Sequence, residues 1–444
     1  EYAQDIRRAA AWFAQNIPEV EGKRVVLLSR NCYEYGVNTF GAVLAGAVLV
    51  TMNQKKTWDE LSWELELAEP ALILNDGVDY GCRDQLEAAY RERLRPMDVW
   101  KDTAPGGLEK KIDPNALMVM LFTSGTTGRS KGVMLSQKNL FSAMPAFLDP
   151  FDDVKKYTGW NTDEFSSLSA LPMFHISAMT SLVSWSITGH SINLCNNLKY
   201  FYRDLGAMHS EVMAVVPVLL KSIYSDVMRG RRDRLNGLCM LTCGAAMFDP
   251  KILSDMMEKG FFVAQMYGLT ETCGDGAWNS SQEAKYLTSV GHVDLSCEYK
   301  LDDGELCMRG DPIMLGYYKD PEGTAEVIDA EGWFHTGDIA RVEEDGYMYL
   351  TGRKKNVIIL DSGENVNPEE LEKLLVPCAD IRECIVKEKD KKICALIYCD
   401  PAKQDAVKEF VTGVNRGLPL YKRMVPELSA QPLPRNAMGK LLRQ

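Results

Sequence analysis

The stretch that decides the fold is residues 116–135, ALMVMLFTSGTTGRSKGVML. An apolar run at residues 116–122 and another at residues 133–135 predict two strands, with a loop rich in glycine and hydroxyl side chains between them. Further short apolar runs lie at residues 24–28, 212–216 and 238–243. Polar residues or glycines and then a helical period follow these runs. This alternation predicts an α/β fold with mostly parallel strands, whose carboxyl ends gather the ligand groups.

The loop between the two strands predicts a cradle for a polyphosphate. Its candidate residues are Thr123, Ser124, Gly125, Thr126, Thr127, Gly128, Arg129 and Lys131. Glycine lets backbone N–H groups approach an oxyanion, hydroxyls donate further hydrogen bonds, and Lys131 or Arg129 can neutralise charge. A P-loop of the NTPases is excluded, because Lys131 is preceded by Ser130 and followed by Gly132. A flexible surface linker of the same composition stays open as the alternative.

Composition excludes several classes of function. The net charge of −12 argues against a dedicated nucleic-acid binder, which needs clustered Lys and Arg. The 12 cysteines form no CxxC pair and the five histidines lack metal-ligand spacing, so we expect a reduced, cytoplasmic protein. The longest apolar stretch, residues 41–52, is too short for a transmembrane segment. A helical period is already under way at the first residues, so we expect N-terminal sequence to be missing.

The pattern of predicted strands and helices changes along the chain. After residue 290, strand-rich segments predict a β-rich lobe, and from residue 354 a helix, two strands and a second helix predict a small α+β unit. We therefore expect a large N-terminal domain at residues 1–352, made of layered α/β subdomains and the β-rich lobe. A small, mobile α+β C-terminal domain is expected at residues 353–444.

Four later segments form an ordered pattern with the loop. They are YGLTET at 267–272, TGD at 336–338, GRKK at 352–355 and PRNAMGK at 434–440. Together with the loop they resemble the signature of the adenylate-forming superfamily, which contains acyl- and aryl-CoA synthetases, nonribosomal peptide synthetase adenylation domains and firefly luciferase. Residues 352–372 look most like bacterial long-chain fatty acyl-CoA synthetases. The chain departs from the pattern at Ser130, where proline is usual, at Asn356, which replaces a common acidic residue, and after residue 291, where proline is often found.

The resemblance implies an ATP-dependent, AMP-forming acid–thiol ligase. Such an enzyme activates a carboxylic acid as an acyl-adenylate and then passes the acyl group to coenzyme A. ATP, Mg²⁺ and coenzyme A are the implied cofactors, and residues 1–352 would be the adenylation domain. The alternative is a stand-alone adenylation enzyme that loads the phosphopantetheine of a carrier protein. A nonenzymatic nucleotide sensor is a third possibility, against which the presence of Lys440 and Glu271 argues.

The resemblance assigns several residues to the nucleoside. Tyr267 would stack on adenine next to Gly268. Small residues that admit a flat purine are Gly244, Ala245 and Ala246. Asp338 would accept hydrogen bonds from the ribose hydroxyls, and Arg353 would reach the same sugar from the far side of a cleft. A core aromatic, tight turns and a surface ion pair are the alternative interpretations of these residues.

Catalytic roles are implied for residues of both expected domains. Thr270 would hydrogen-bond the α-phosphate, and Glu271 would be the metal ligand for Mg²⁺. Lys440 would stabilise the negative charge that develops on the phosphoryl oxygens. Lys355 matches the hinge about which the small domain rotates, and Gly363 is the candidate residue near coenzyme A. A solvated terminal lysine, a loop charge and a turn glycine are the alternatives for the last three.

The acid substrate is expected to have an uncharged tail. Superfamily members that activate amino acids place an Asp where this chain resembles them around His175, and residues 166–202 contain no Asp or Glu that could pair with an ammonium group. The acyl-pocket candidates are His175, Met179 and Thr272, together with the apolar residues Ile176, Leu182, Val183 and Trp185. The apolar residues could equally belong to a buried helix, so it is the resemblance of residues 352–372 that implies a fatty acid as the substrate.

Overall fold

The computed structural model describes residues 1–106, 113–123, 129–145, 154–156, 164–244, 248–293, 296–360, 365–389, 391–435 and 441–443. The chain divides into two compact units. The first unit comprises Glu1–Tyr299 and Met308–Phe334, and the second comprises Lys300–Cys307 and His335–Gln444. Each unit has a hydrophobic core of its own.

Helix α1 (Tyr2–Asn16) precedes the first of two seven-stranded sheets in the first unit. The strands of this sheet, in spatial order, are β16 (Gly316–Tyr317), β6 (Lys131–Ser136), β5 (Leu117–Thr123), β2 (Val48–Thr51), β1 (Arg24–Leu28), β3 (Leu72–Asn75) and β4 (Leu94–Pro96). The helices along this part of the chain are α2 (Tyr33–Leu44), α3 (Trp58–Ala68), α4 (Arg83–Tyr90), α5 (Gln137–Ser142) and, after β16, α10 (Pro321–Ala325).

Parallel pairing builds the middle of this sheet. Strand β1 pairs in parallel with β2 and β3, and β2 pairs in parallel with β5. Val25, Val26 and Val50 are fully buried, as expected for parallel strands that are covered on both faces. Strands β5 and β6 instead run antiparallel. The candidate phosphate loop therefore joins the two strands of a hairpin.

The second sheet of the first unit also combines parallel strands with helices. Its strands, in spatial order, are β13 (His292–Val293), β12 (Gly276–Asn279), β11 (Phe262–Gly268), β10 (Met240–Cys243), β9 (Val212–Val215), β7 (Ser166–Ser169) and β8 (Ser191–Leu194). The helices are α6 (Ile176–Thr188), α7 (Phe201–Ala207), α8 (Pro217–Met228) and α9 (Pro250–Glu258). The strands from β11 to β8 pair in parallel, so their carboxyl ends lie at one edge of the sheet.

The second unit contains most of a four-stranded sheet and two smaller sheets. The four strands, in spatial order, are β14 (Cys297–Asp302), β15 (Glu305–Gly310), β17 (Phe334–Val342) and β18 (Met348–Arg353). The smaller sheets consist of β19 (Ile358–Ile359) and β20 (Asn365–Val366), and of β21 (Ile381–Lys389), β22 (Lys392–Cys399) and β23 (Val425–Ser429). Helices α11 (Pro368–Leu375) and α12 (Gln404–Arg416) pack Leu371 and Val411 into the core of this unit.

The expected α/β fold class is confirmed. The predicted strands at residues 24–28, 212–216 and 238–243 are β1, β9 and β10, and the predicted β-rich segments are β15 and β18. Among the described residues, no helix has the length and apolar character that crossing a bilayer requires. The division at residue 352 into an N-terminal domain and a mobile C-terminal domain stays a prediction.

Gly291 gives a test of the packing of the second sheet. Its φ is +92°, and a Cβ atom there would overlap the carbonyl oxygen of Trp278 in β12. We expect Gly291→Ala to lower the free energy of unfolding by about 2–3 kcal/mol, because it combines backbone strain with a backbone clash. Urea denaturation measures the change. Gly206→Ala in α7, where a Cβ atom meets open space, is the control and should stabilise by about 0.5 kcal/mol. Equal effects of the two substitutions would show that residue 291 tolerates a side chain.

Candidate active site

The two ends of the candidate phosphate loop meet in the hairpin of the first unit. Thr123 is the last residue of β5, Lys131 is the first of β6, and the two residues are paired in the strand register. Antiparallel pairing therefore holds both ends of the loop at the same edge of the sheet. Ser124, Gly125, Thr126, Thr127 and Gly128, which were predicted to contact phosphate, lie outside the described residues.

Lys131 is held by an acidic and an aromatic partner. Its Nζ lies 3.0 Å from Oδ2 of Asp320 and 4.7 Å from the ring centre of Tyr317. The backbone N–H of Gly323 donates to Oδ1 of Asp320 at 2.8 Å. The Lys131 ammonium and this N–H hold the pKa of Asp320 below its usual value. The side chain of Lys131 keeps 34% of its surface exposed, so the cation stays accessible to solvent.

Glu271 lies on a short 3₁₀ turn, Thr270–Thr272, that follows β11. The Tyr317 hydroxyl donates to its Oε1 at 3.0 Å, and its backbone carbonyl accepts from the Met314 N–H at 2.8 Å. Burial is the main cause, and the nearby Glu271 carboxylate the second, of a raised pKa of Tyr317. The hydroxyl therefore stays protonated and can donate this hydrogen bond. Tyr317 thus contacts both Lys131 and Glu271, which are 140 positions apart in the sequence.

The residues predicted to surround adenine lie at the ends of two neighbouring parallel strands. Gly244 follows β10, whereas Tyr267 and Gly268 end β11, which pairs with β10. Tyr267 is 8% exposed. A Cβ atom on Gly268 would overlap the backbone carbonyl of Gly274, which explains why glycine is needed there. Of the other small residues expected in this place, Ala245 and Ala246 lie outside the described residues.

Thr272 is fully buried, and its hydroxyl is used within its own turn. It accepts from the Leu269 N–H at 3.0 Å and donates to the Asp275 carbonyl. These bonds fix the segment that carries Thr270 and Glu271. The structure therefore gives Thr272 a role in shaping the turn, and its predicted place in the acyl pocket stays a prediction.

In the second unit, Asp338 and Arg353 are cross-strand neighbours on β17 and β18. Arg353 Nε lies 2.6 Å from Asp338 Oδ1, and Arg353 Nη1 donates to the Thr336 carbonyl at 3.1 Å. Strand pairing places Arg353 beside Asp338, and its predicted contact with the ribose from the far side of a cleft stays a prediction. Asp338 is 4% exposed.

The hinge candidate Lys355 lies on a 3₁₀ turn, Lys354–Asn356, directly after β18. On the same turn, Lys354 Nζ donates to Glu305 Oε2 at 2.7 Å, and Asn356 Nδ2 donates to Glu369 Oε1 at 2.6 Å. Both contacts attach the turn to other parts of the second unit. Gly363, the candidate near coenzyme A, lies outside the described residues.

Lys440 also lies outside the described residues, but the chain on each side of it is anchored. Arg435 pairs with Leu441 in an antiparallel β-bridge, and the Leu442 N–H donates to the Pro434 carbonyl at 2.9 Å. Beyond the bridge, Arg443 donates from Nη1 and Nη2 to the two oxygens of Glu372, at 2.6 and 2.8 Å.

A pocket lies beside α6, the helix that carries the acyl-pocket candidates. The space that it encloses is small, about 20 Å³. It is lined by Ser167, Leu168, Ser169, Ala170, Leu171, Met173, Ala178, Ser181, Leu182, Trp185, Ile192 and Ala214. Leu182 and Trp185 were predicted, whereas His175, which precedes α6, and the fully buried Met179 are absent from this lining.

Sequence reasoning missed Tyr317 and Asp320. Gly316 and Tyr317 form a strand of only two residues that pairs antiparallel with β6. No periodicity is visible in two residues, so this contact leaves no local signal in the sequence. A tyrosine and an aspartate in a Gly- and Pro-containing loop indicate no more than a turn.

Comparison with known proteins agrees with this geometry. The AMP-binding enzyme family matches residues 1–318, more than half of the 444 residues. The chain belongs to the AMP-binding enzyme family. The adenylate-forming superfamily expected from the sequence motifs is thereby confirmed.

Relatives of this AMP-binding enzyme include several CoA ligases. The peroxisomal OPC-8:0-CoA ligase 1 of Arabidopsis thaliana is 25% identical over 99% of this chain and 87% of its own length. The 4-coumarate–CoA ligase 2 of rice, Oryza sativa subsp. japonica, is 29% identical over 99% and 85%. The long-chain-fatty-acid–CoA ligase FadD13 of Mycobacterium tuberculosis is 26% identical over 95% and 87%.

Solved structures share the fold of this AMP-binding enzyme. The o-succinylbenzoate CoA synthetase MenE of Bacillus subtilis, in complex with its acyl-adenylate intermediate, superimposes with a TM-score of 0.82 at 24% identity and covers 100% of this chain and 91% of its own. The fatty acyl CoA synthetase of Mycobacterium tuberculosis superimposes with a TM-score of 0.73 at 22% identity, over 100% and 90%.

The Lys131–Asp320 pair of this AMP-binding enzyme can be tested by titration. We expect Lys131→Met to raise the pKa of Asp320 towards the usual value of an aspartate, because the ammonium that stabilises its charged form is lost. Carbon-13 NMR of labelled aspartate measures the shift. Lys138→Met is the matched control, since Lys138 pairs with Asp311 instead, and it should leave Asp320 unchanged. An unaltered Asp320 pKa in Lys131→Met would show that the pair does not persist in solution.

Proposed function

We propose that this protein is an ATP-dependent, AMP-forming acid–thiol ligase that uses coenzyme A as the acyl acceptor. The observation that supports the proposal is the contact of Tyr317 with both Lys131 and Glu271. Tyr317 thereby brings the Lys131 ammonium and the Glu271 carboxylate, which belong to two separate motifs, close to one side chain. A polyphosphate with its Mg²⁺ ion needs this combination of groups.

The residues of the first unit fit the triphosphate. Lys131 supplies positive charge for phosphate oxygens, and the Thr270 hydroxyl is a donor for the α-phosphate. Glu271 supplies the hard carboxylate oxygen that Mg²⁺ prefers, and one carboxylate is sufficient when substrate phosphates and water complete the coordination. When bound, Mg²⁺ neutralises charge on the phosphate oxygens. Tyr317, as a hydrogen-bond donor, orients the Glu271 side chain.

The proposed nucleoside contacts are those that the superfamily motifs imply. Tyr267 supplies an aromatic face for adenine, and Gly244, at the end of the neighbouring strand, leaves room for a flat ring. Asp338 supplies acceptor oxygens for the ribose hydroxyls. The Arg353 guanidinium lies beside this buried carboxylate, with Nε 2.6 Å from Oδ1.

The reaction has two steps. A carboxylate oxygen of the acid attacks the α-phosphorus of ATP, a new P–O bond forms, and the bond to pyrophosphate breaks to leave acyl-AMP. Lys440 is proposed to stabilise the negative charge on the phosphoryl oxygens in this step. The sulfur of coenzyme A then attacks the acyl carbonyl, AMP leaves, and the thiol loses its proton. Rotation of the C-terminal domain about Lys355, with Gly363 near the coenzyme, is proposed between the two steps.

The residues that line the pocket beside α6 are proposed to contact the tail of the acid, and their uncharged character supports a fatty acid. The residues that line it are apolar or carry hydroxyls, and none is charged. A charged tail would lose hydration there without gaining a partner. Relatives are named for acids as different as coumarate, succinylbenzoate and long-chain fatty acids. The choice of a fatty acid therefore rests on the uncharged lining together with the resemblance of residues 352–372 to bacterial long-chain fatty acyl-CoA synthetases.

Lys440→Ala tests the proposed chemistry. We expect acid-dependent pyrophosphate exchange to fall by about 10²–10³-fold, because a preorganised charge at the transition state is lost. Calorimetry should show that ATP still binds. Lys408→Ala, on the solvent-exposed side of α12, is the control and should exchange like the wild type. Wild-type exchange in Lys440→Ala would contradict the role proposed for Lys440. Thioester formation with a carrier protein but not with coenzyme A would show that the acyl acceptor is the carrier protein.

Ser181→Leu tests the acyl pocket. The larger side chain should fill part of the pocket, so kcat/KM for a long-chain fatty acid is expected to fall about tenfold more than that for a short-chain acid. Steady-state thioester formation across a panel of fatty, aromatic and amino acids measures the ratio. Thr188→Leu, at an exposed position of the same helix, is the control. Equal losses for long and short acids would place the tail elsewhere.

A further inference from the structure

Helix α3 holds the point where the phosphate loop enters β6. The hydroxyl of Ser130, the residue before Lys131, donates to Glu64 Oε1 at 2.6 Å. The carbonyl of Ser130 accepts from Trp63 Nε1 at 3.2 Å. The guanidinium of Arg129 lies 4.5 Å from the ring centre of Trp63, a cation–π contact. Two successive residues of α3 thus hold two successive residues at the end of the loop.

Glu64 is an unusual residue to find in this position. Its side chain has no exposed surface, and the same Oε1 that binds Ser130 also pairs with Nζ of the buried Lys56. The other oxygen, Oε2, has no hydrogen-bond donor among the residues that the structure describes. Burial raises the pKa of Glu64, and Lys56 and the Ser130 hydroxyl counteract this rise. The carboxylate therefore depends on two donors, of which one belongs to the loop.

The placement of this ion pair indicates a role beyond the packing of α3. A buried ion pair is costly to desolvate, and apolar residues of similar volume would pack a helix at least as well. The Glu64 carboxylate instead accepts a strong hydrogen bond from a loop hydroxyl, because hydrogen bonds to charged groups are stronger than those between neutral groups. The Trp63 indole adds a second bond to the same residue.

We propose that Glu64 and Trp63 are positioning residues that fix Ser130, and through it Lys131, for ATP binding. The inference rests on the proposed function, because the position of the loop matters only if the loop binds ATP. A proline at residue 130, which is usual in the superfamily, would restrict the backbone through its ring. Serine lacks this restriction, and its hydroxyl and carbonyl are held from outside by α3. Lys131 then meets the phosphates without first losing as much conformational freedom.

Ser130→Ala is the decisive variant, because it removes the hydroxyl and leaves the Lys56–Glu64 pair intact. In pyrophosphate exchange we expect KM for ATP to rise about tenfold, the loss of one hydrogen bond to a charged acceptor. We expect kcat at saturating ATP, and KM for the acid, to stay unchanged. Ser130→Thr keeps the hydroxyl and should restore most of the affinity. Trp63→Phe, which keeps a ring for Arg129 but loses the N–H donor, should raise KM for ATP by a smaller factor.

The matched control is Glu66→Gln on the exposed side of α3, which should behave like the wild type. Glu64→Gln is informative only if it folds, since it leaves the Lys56 ammonium buried without a carboxylate. A wild-type KM for ATP in Ser130→Ala, or an equal rise in Ser130→Thr, would overturn the inference. Calorimetric ATP binding separates the two proposals. If the wild type binds ATP but exchanges no pyrophosphate, the proposed function fails, whereas weaker ATP binding by Ser130→Ala still supports the positioning role.

Discussion

The arrangement of the first unit depends on the contact that Tyr317 makes with two motifs. Its hydroxyl binds the Glu271 carboxylate, while its ring lies against the Lys131 ammonium. A tyrosine can do both because its ring is apolar with a negative face and its end is a hydrogen-bond donor. The ion pair of Lys131 is with Asp320. A polyphosphate can therefore compete for Lys131 with a partly exposed surface aspartate, which costs less than breaking a buried pair.

The sequence predicts the parts of this site better than their assembly. Strand–helix alternation and the loop at residues 123–132 are local patterns, and β5, β6 and β10 lie where those patterns predict them. The contact that joins the loop end at Lys131 to Glu271 comes from β16, which has two residues and pairs with β6 across about 180 positions. Pairing over such a distance is decided by tertiary packing, which leaves no periodicity in the sequence.

Two departures from the superfamily pattern have physical explanations in the structure. Ser130 replaces a proline, and its hydroxyl and carbonyl are bound by α3. Asn356 replaces a common acidic residue, and its amide donates to the Glu369 carboxylate at 2.6 Å. An aspartate at residue 356 would place two like charges within hydrogen-bond distance, which is unfavourable. In each case the departing residue is held by a side-chain contact with another element. A substitution in a motif therefore has to be considered together with the residue that it contacts.

The chain on each side of Lys440 is anchored by ion pairs, which suits the role proposed for this residue. A lysine that acts on a phosphoryl group must be held in place while its ammonium is free to reach a ligand, so its backbone has to be fixed by neighbouring residues. Arg435 pairs with Glu383 at 2.6 Å, and Arg443 binds Glu372 with both ends of its guanidinium. Burial raises the pKa of Glu372, and Arg443 counteracts the rise. Arginine suits both anchors because it keeps its charge and binds carboxylates through a rigid fork.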